Sequence, residues 1–383
     1  MLLNRIAVKV AFFLNGFIYA NWVSRLPRIQ ELYEADNGTI GLVLLTFSLG
    51  AVAAMPFTGW VVIRYGSRKI TLFSLIGYCA FVPLIAGMQN IPALMMLFVV
   101  MGAFTGMLDV AMNAQAVMVE RAYRKPIMTS FHALFSIGMA LGAWCGALFA
   151  DLQFDISVHF GVTVSASLIT CIWVSRNLVY DKPIGAEGQE GPVFRLPSKS
   201  LVIIGVIAFC CMMGEGAMAD WTVNFMENVA DASRTMAPIG LSAFATAMTI
   251  GRVFGDRIRI AFGDSMLIMA GGVISTLGLA AALIVPDTYI SISGFFLVGL
   301  GLSTIVPIAY SIAGNAKGLP SGVGLAMVTT VGYAGFLFGP PIIGFIADVY
   351  GLRVGLAFVL LLFVLMTLLG ALRHRNDARD ELL

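Results

Sequence analysis

Residues 92–119 read Pro92-Ala-Leu-Met-Met-Leu-Phe-Val-Val-Met-Gly-Ala-Phe-Thr-Gly-Met-Leu-Asp109-Val-Ala-Met-Asn113-Ala-Gln115-Ala-Val-Met-Val119, with a single charged residue, Asp109. About 20 mostly apolar residues in a helix suffice to cross the hydrocarbon core of a bilayer. The run is continuous, where a barrel strand would alternate every second residue over about ten. The stretch therefore predicts a membrane-spanning helix.

Eleven more stretches of this kind flank it, near 6–30, 38–63, 70–89, 127–150, 157–178, 200–227, 236–258, 265–285, 288–313, 321–347 and 353–372. The predicted fold class is an all-α integral membrane protein with twelve transmembrane helices. Composition agrees, since 59% of the 383 residues are hydrophobic and 11% are charged. A soluble domain is nearer a quarter charged. A net charge of +2 leaves no basic footprint for nucleic acid. The first residues carry no small-x-small cleavage site and run on into Trp22 and Arg25, so they read as a span and not a signal peptide. Cys79, Cys145, Cys171, Cys210 and Cys211 all fall inside spans and read as packing residues, with no disulfide and no metal-ligand spacing.

Basic residues orient the chain. With the N-terminus in the cytoplasm, the inner side collects Arg5, Lys9, Arg64, Arg68, Lys69, Arg121, Arg124, Lys125, Arg176, Lys182, Arg195 and Lys199. It also collects Arg252, Arg257, Arg259, Lys317, Arg373, Arg375 and Arg379. Only Arg25, Arg28, Arg234 and Arg353 fall outside. Both termini are thus expected on the cytoplasmic side.

The segment 180–198, with Asp181, Lys182, Glu187, Glu190 and Arg195, is the one long polar stretch between spans. It predicts an N-terminal six-helix bundle (1–179), a linker (180–198) and a C-terminal six-helix bundle (199–383). The halves repeat. Gly66, Gly102, Gly138, Gly142 and Asp151 recur 197 residues on as Gly263, Gly299, Gly335, Gly339 and Asp348, and Gly59 recurs as Gly255 after 196. Repeated halves around a central site are a common plan for secondary transporters.

The loop Gly59-Trp-Val-Val-Ile63-Arg64-Tyr-Gly66-Ser-Arg68-Lys69 resembles the signature loop of the major facilitator superfamily, with Ile63 at the usual acidic position. Finer motifs are similar to its YbjJ-like branch. They include Asn21-Trp22-x-x-Arg25-x-Pro27, Asp109-Val-Ala-x-Asn113 and His132-x3-Ser136-x-Gly138. Glu215-Gly216-x3-Asp220-Trp221, Gly251-Arg252, Thr329-Thr330-x-Gly332-Tyr333 and Gly339-Pro340-Pro341 complete the set. More distantly the chain resembles the fucose permease group of proton-coupled sugar symporters, whose acid-x3-Asn pattern in span 4 matches Asp109 and Asn113. In that group a second acid stands in span 1, where this chain has Val23. The resemblance implies a monomeric, bacterial inner-membrane transporter of a small molecule. Its energy source would be the proton gradient, with no other cofactor and no metal, and spans 1, 4, 7 and 10 would line a cavity.

An ionisable group at bilayer depth costs at least about 2.5–3.5 kcal/mol on insertion scales. Asp109 and Glu215 lie roughly 16 Å and 22 Å from the inner face at 1.5 Å per residue. Both are candidate proton-coupling acids, able to hold or release a proton as a cavity opens to either side. The competing reading of Asp109 is a helix lock hydrogen-bonded to Asn113. Arg25 and Asp220, at the outer ends of spans 1 and 7, are a candidate gate, or else a snorkelling cation and a solvated acid. Arg64 and Arg68 are gating candidates at the inner end. His132 is a candidate for a proton or substrate role, against a satisfied core histidine, while His159 and His374 lie near span ends. Arg252 reads as an inner-interface anchor or a cation facing an acid.

Asn21, Trp22, Asn113, Gln115, Glu215, Trp221, Asn224 and Tyr333 are the candidate substrate-binding set. Amides with aromatic faces suit a neutral hydroxylated solute such as a sugar, although Trp and Tyr also form interface belts. The expected function is proton-coupled symport by alternating access. Proton-driven export of a drug or amphipathic metabolite is the alternative, and a membrane enzyme or a sensor stands behind both.

Overall fold

The computed structural model describes residues 1–123, 127–180, 199–314 and 321–380. The linker expected at 180–198 lies outside the described residues apart from Tyr180, as do Arg124, Lys125 and Lys317. Among the described residues the regular structure is helical. Twelve helical stretches are long and apolar enough to cross a membrane. The chain is a multi-pass, all-α membrane protein.

The first half runs α1 (Leu2–Val23), α2 (Leu26–Leu32), α3 (Asn37–Tyr65), α4 (Ser67–Phe81), α5 (Ile91–Tyr123), α6 (Met128–Asp151) and α7 (Ile156–Asn177). The second runs α8 (Lys199–Asn228), α9 (Ala237–Phe262), α10 (Asp264–Ile284), α11 (Thr288–Leu302), α12 (Ile305–Gly314), α13 (Ser321–Tyr350) and α14 (Leu352–Asp380).

Two expected spans divide into two α-helices, each at a proline, and a third, 70–89, passes from α4 into a 3-10 helix (Val82–Gly87) with Pro83 in its first turn. The stretch 6–30 divides into α1 and α2, with Pro27 in the first turn of α2. The stretch 288–313 divides into α11 and α12, where Pro307 has no N–H to return to the Ser303 carbonyl. A serine sits at each break between two α-helices. Ser24 Oγ donates to Asn21 O (2.9 Å) and Ser303 Oγ donates to Leu300 O (2.7 Å), so carbonyls exposed by the break are satisfied.

The chain divides into two compact units. The first comprises Met1–Gln189 with Ser233–Ser242, and the second Glu190–Ala232 with Ala243–Leu383. The sequence division would have kept Ser233–Ser242 with the second half. Side-chain bonds explain its place in the first unit. Arg234 pairs with Glu31 (3.4 Å), Thr235 Oγ1 bonds Asp151 Oδ1 (3.4 Å) and Ser242 Oγ donates to Ala140 O (3.0 Å).

The glycine repeat has a physical basis in each unit. Gly66 (φ 89°) and Gly263 (φ 77°) stand before α4 and α10 in a left-handed conformation that strains any residue with a Cβ. A Cβ at Gly102 would strike the Phe47 carbonyl, and one at Gly299 the Phe244 carbonyl, so α5 rides against α3 as α11 rides against α9. Gly138 lies against the backbone of Phe13 and Phe17, and Gly335 against that of Phe209 and Met213. The pairs α1–α6 and α8–α13 therefore close at backbone distance, as small-residue faces permit between membrane helices.

This packing sets a prediction. Gly138→Val drives a side chain into the Phe13 carbonyl, so the purified protein should lose about 1–3 kcal/mol, read as a fall in detergent-phase melting temperature. Gly161, whose added Cβ meets nothing within 4 Å, is the control, and Gly161→Ala should melt with the wild type or above it.

Candidate functional site

In the first unit, Asp109 lies midway along α5 and is partly exposed. Asn113, one turn on, donates through Nδ2 to Asp109 O (2.8 Å) and to Asp109 Oδ1 (3.1 Å). The side-chain bond expected between these two is therefore present. A neutral amide holds the carboxyl in one rotamer without supplying a counter-charge. Asn15 of α1 approaches the same stretch of α5, with Nδ2 3.9 Å from Met112 Sδ. Its buried Oδ1 has no protein partner.

Other candidates in this unit have their polar atoms taken by protein. Trp22 is fully buried, donates Nε1–H to Tyr78 Oη (2.8 Å) and packs on Phe47 and Phe98 (ring centroids 5.5 and 5.2 Å). Gln115 is buried and fully engaged. Its Nε2 donates to Ser67 Oγ (2.7 Å) and Val179 O (3.0 Å), and its Oε1 accepts from Val179 N (2.9 Å). Gln115 thus holds the segment leaving α7. Arg68 works on the same segment, donating to Ser175 O (2.6 Å) with its guanidinium 5.9 Å from the Tyr180 ring centre. Arg64 is exposed, 5.8 Å from the Tyr65 ring centre. His132 is exposed and meets Phe12 edge-on (5.1 Å), so it is not a core histidine.

Asn21 and Arg25 lead to a residue that sequence reasoning set aside. Asn21 Nδ2 donates to Phe17 O (2.7 Å), and its Oδ1 lies 2.7 Å from His159 Nε2. His159 is wholly buried and stacks on Phe149 (4.4 Å between ring centres). Arg25 is buried and donates Nη2–H to Phe154 O (2.9 Å) in the turn between α6 and α7. Position alone hid His159, because four residues from the start of a span looks like an interface. The usable signal was the polar run Asn21-Trp22-x-x-Arg25, which needs buried partners.

In the second unit, Glu215 of α8 lies 3.5 Å from Arg252 of α9, with side chains 16% and 15% exposed. Arg252 therefore faces an acid inside the unit and does not anchor at an interface. Cys211 Sγ approaches Glu215 Oε1 (3.9 Å) and Leu302 O (3.7 Å). A Cβ at Gly251 would strike Ser303, so this glycine lets α9 close on the break between α11 and α12 and sets Arg252 beside it. Asp220, Trp221 and Asn224 are buried farther along α8, and the Trp221 indole N–H has no acceptor among the described residues. Tyr333 is partly buried on α13, 6.1 Å from Phe336 between ring centres, and Phe336 lies against Gly216. Tyr310 Oη approaches Met212 Sδ (3.7 Å).

Comparison with known proteins agrees with this architecture. The sequence model described as Major Facilitator Superfamily matches residues 10–316. An uncharacterized MFS-type transporter of Yersinia pestis is 35% identical over 362 residues, covering 94% of this chain and 93% of that protein. The membrane protein MosC of Rhizobium meliloti is 31% identical over 373 residues, covering 97% and 90% respectively. The crystal structure of a mutant of the nucleoside transporter NupG superposes with a TM-score of 0.77 at 12% identity, covering 96% of this chain and 98% of that one. That last likeness is one of fold.

The engaged amide of Gln115 generates a second prediction. Gln115→Leu removes three hydrogen bonds, to Ser67 Oγ and to the Val179 backbone, so it should destabilise the protein by about 1–3 kcal/mol. Thermal melting of the purified variant measures this.

Proposed function

The chain belongs to the Major Facilitator Superfamily, and from that premise we propose that this transporter is a proton-coupled symporter of a small, polar, hydroxylated solute such as a sugar. It is a membrane transporter and not an enzyme. In this reading it works as a monomer in a bacterial inner membrane, with both termini in the cytoplasm. Alternating access exposes its binding residues first to one face and then to the other.

Asp109 carries the proposal. It is a partly exposed carboxyl midway along a 33-residue helix, and its described hydrogen bonds come from the Asn113 amide. Ionised groups at such depth are costly and mark ion or proton pathways. An amide partner orients Asp109 in either protonation state, whereas a cationic partner would hold it ionised. Asn15, with its orphan amide oxygen, and Asn113 supply neutral hydrogen-bonding groups of the kind that read hydroxyls. His132, exposed on α6, is a further group in reach of water in this reading.

The test is flux in proteoliposomes under an imposed pH gradient. The probe is chosen by thermal-shift screening of a panel of monosaccharides, polyols, nucleosides and amino acids. Asp109→Asn keeps the shape and the Asn113 contact but cannot ionise. It should abolish gradient-driven accumulation and spare exchange of labelled for unlabelled solute. Accumulation by Asp109→Asn equal to the wild type would sink the coupling role, and gradient-driven efflux in the wild type would favour export.

A further inference from the structure

The two membrane acids differ in partner. The described bonds of Asp109 come from an amide on its own helix, while Glu215 faces the guanidinium of Arg252 on another helix. Each member of this second pair keeps about a sixth of its side chain exposed. A sealed ion pair has no capacity left for a ligand. This one does, because the described contacts of Glu215 with Arg252 and Cys211 run through Oε1, and a carboxylate carries a second acceptor oxygen.

The surroundings of Glu215 are built for close approach. It stands between Gly214 and Gly216. A Cβ at Gly214 would strike the Phe363 ring, and one at Gly216 would press on Phe336, so aromatic rings reach the α8 backbone on both sides of the acid. Phe336 in turn neighbours Tyr333. Carboxylate and guanidinium thus face each other within one unit, with Phe336 against the residue that follows Glu215. The carboxylate matches a solute with hydroxyl donors.

Resting on the transport reading above, we propose that Arg252 is a specificity-determining residue. It fixes Glu215 as a hydrogen-bond acceptor for solute hydroxyls. Coupling then belongs to Asp109, and recognition in the second unit belongs to the Glu215–Arg252 pair.

Two measurements on the full-length protein test this. The first needs no solute: a melting-temperature cycle over wild type, Glu215→Gln, Arg252→Gln and the double variant. Either single change strands a charge, whereas the double change removes both, so the double should melt above the poorer single. Purely additive losses would overturn the pair. The second is uptake of the panel member that the wild type takes up fastest. Arg252→Gln should raise KM about tenfold with kcat little changed, as loss of a charged hydrogen bond implies, and Arg252→Lys should recover most of it. A purely structural role would lower the amount of active protein and kcat and leave KM alone, and that result overturns the proposal. Absence of uptake of every panel member by a folded wild type would refute the transport reading and this inference with it. Uptake with an unaltered KM in Arg252→Gln would refute this inference alone.

Discussion

A hydrocarbon surround allows no unpaired backbone, and everything else in this molecule is arranged around that constraint. Long helices satisfy their own N–H and C=O groups, so the chain is helical wherever it crosses. The places where helices break are then the informative ones. At Ser24 and Ser303 the hydroxyl turns back onto a carbonyl three residues earlier. Each serine also faces a glycine on a neighbouring helix, Gly146 and Gly251 respectively. The break, the hydroxyl that repairs it and the glycine that makes room form one device, built once in each unit. In the second unit it has a chemical consequence, because the residue after Gly251 is Arg252, which the close approach sets opposite Glu215.

The same constraint explains why so few charges occur and why they differ. A buried charge is tolerated when it is paired, hydrogen-bonded or in reach of water. Glu215 and Arg252 meet the condition by pairing, and Arg25 by donating to the Phe154 carbonyl. Asp109 meets it through Asn113 and partial exposure. These solutions differ chemically. Pairing fixes a charge, as the proposed recognition by Glu215 and Arg252 requires, while an amide partner leaves the proton free to come and go, as the proposed coupling role of Asp109 requires.

Much of this was legible in the sequence. Span number followed from runs of about 20 apolar residues, which nothing but a membrane helix explains. The glycine repeat was legible because backbone contact leaves no substitute for a missing Cβ, as at Gly102 and Gly299. Side-chain direction was not. A helix that is apolar all round has no polar stripe to say which face looks inward. Trp22 and Gln115 therefore read as solute contacts, and the structure turns both into the packing of the first unit. Arg252 read more readily as an interface anchor for the same reason, since height along a helix is legible and azimuth is not. His159 was hidden by a rule of position that holds for interfaces and fails where Asn21 reaches across to it.

The repeat also separates scaffold from chemistry. Adding 197 to Gly66, Gly102 or Gly138 reaches another glycine with the same job. Adding it to Asp109 reaches Val306, and subtracting it from Glu215 and Arg252 reaches Ile18 and Met55. These glycines obey the repeat, and the membrane charges do not. Two equivalent halves suit a machine that must present its centre to both faces, since what one half does at the start of a cycle the other can do at the end. Two equivalent binding sets would not suit the proton-coupled symport proposed above, for a proton and a solute demand different groups. Shape keeps the glycines in register, because a Cβ at Gly102, Gly138, Gly299 or Gly335 would strike a neighbouring backbone. In the proposed reading, coupling and recognition rest on positions that have left the register, namely Asp109, Glu215 and Arg252.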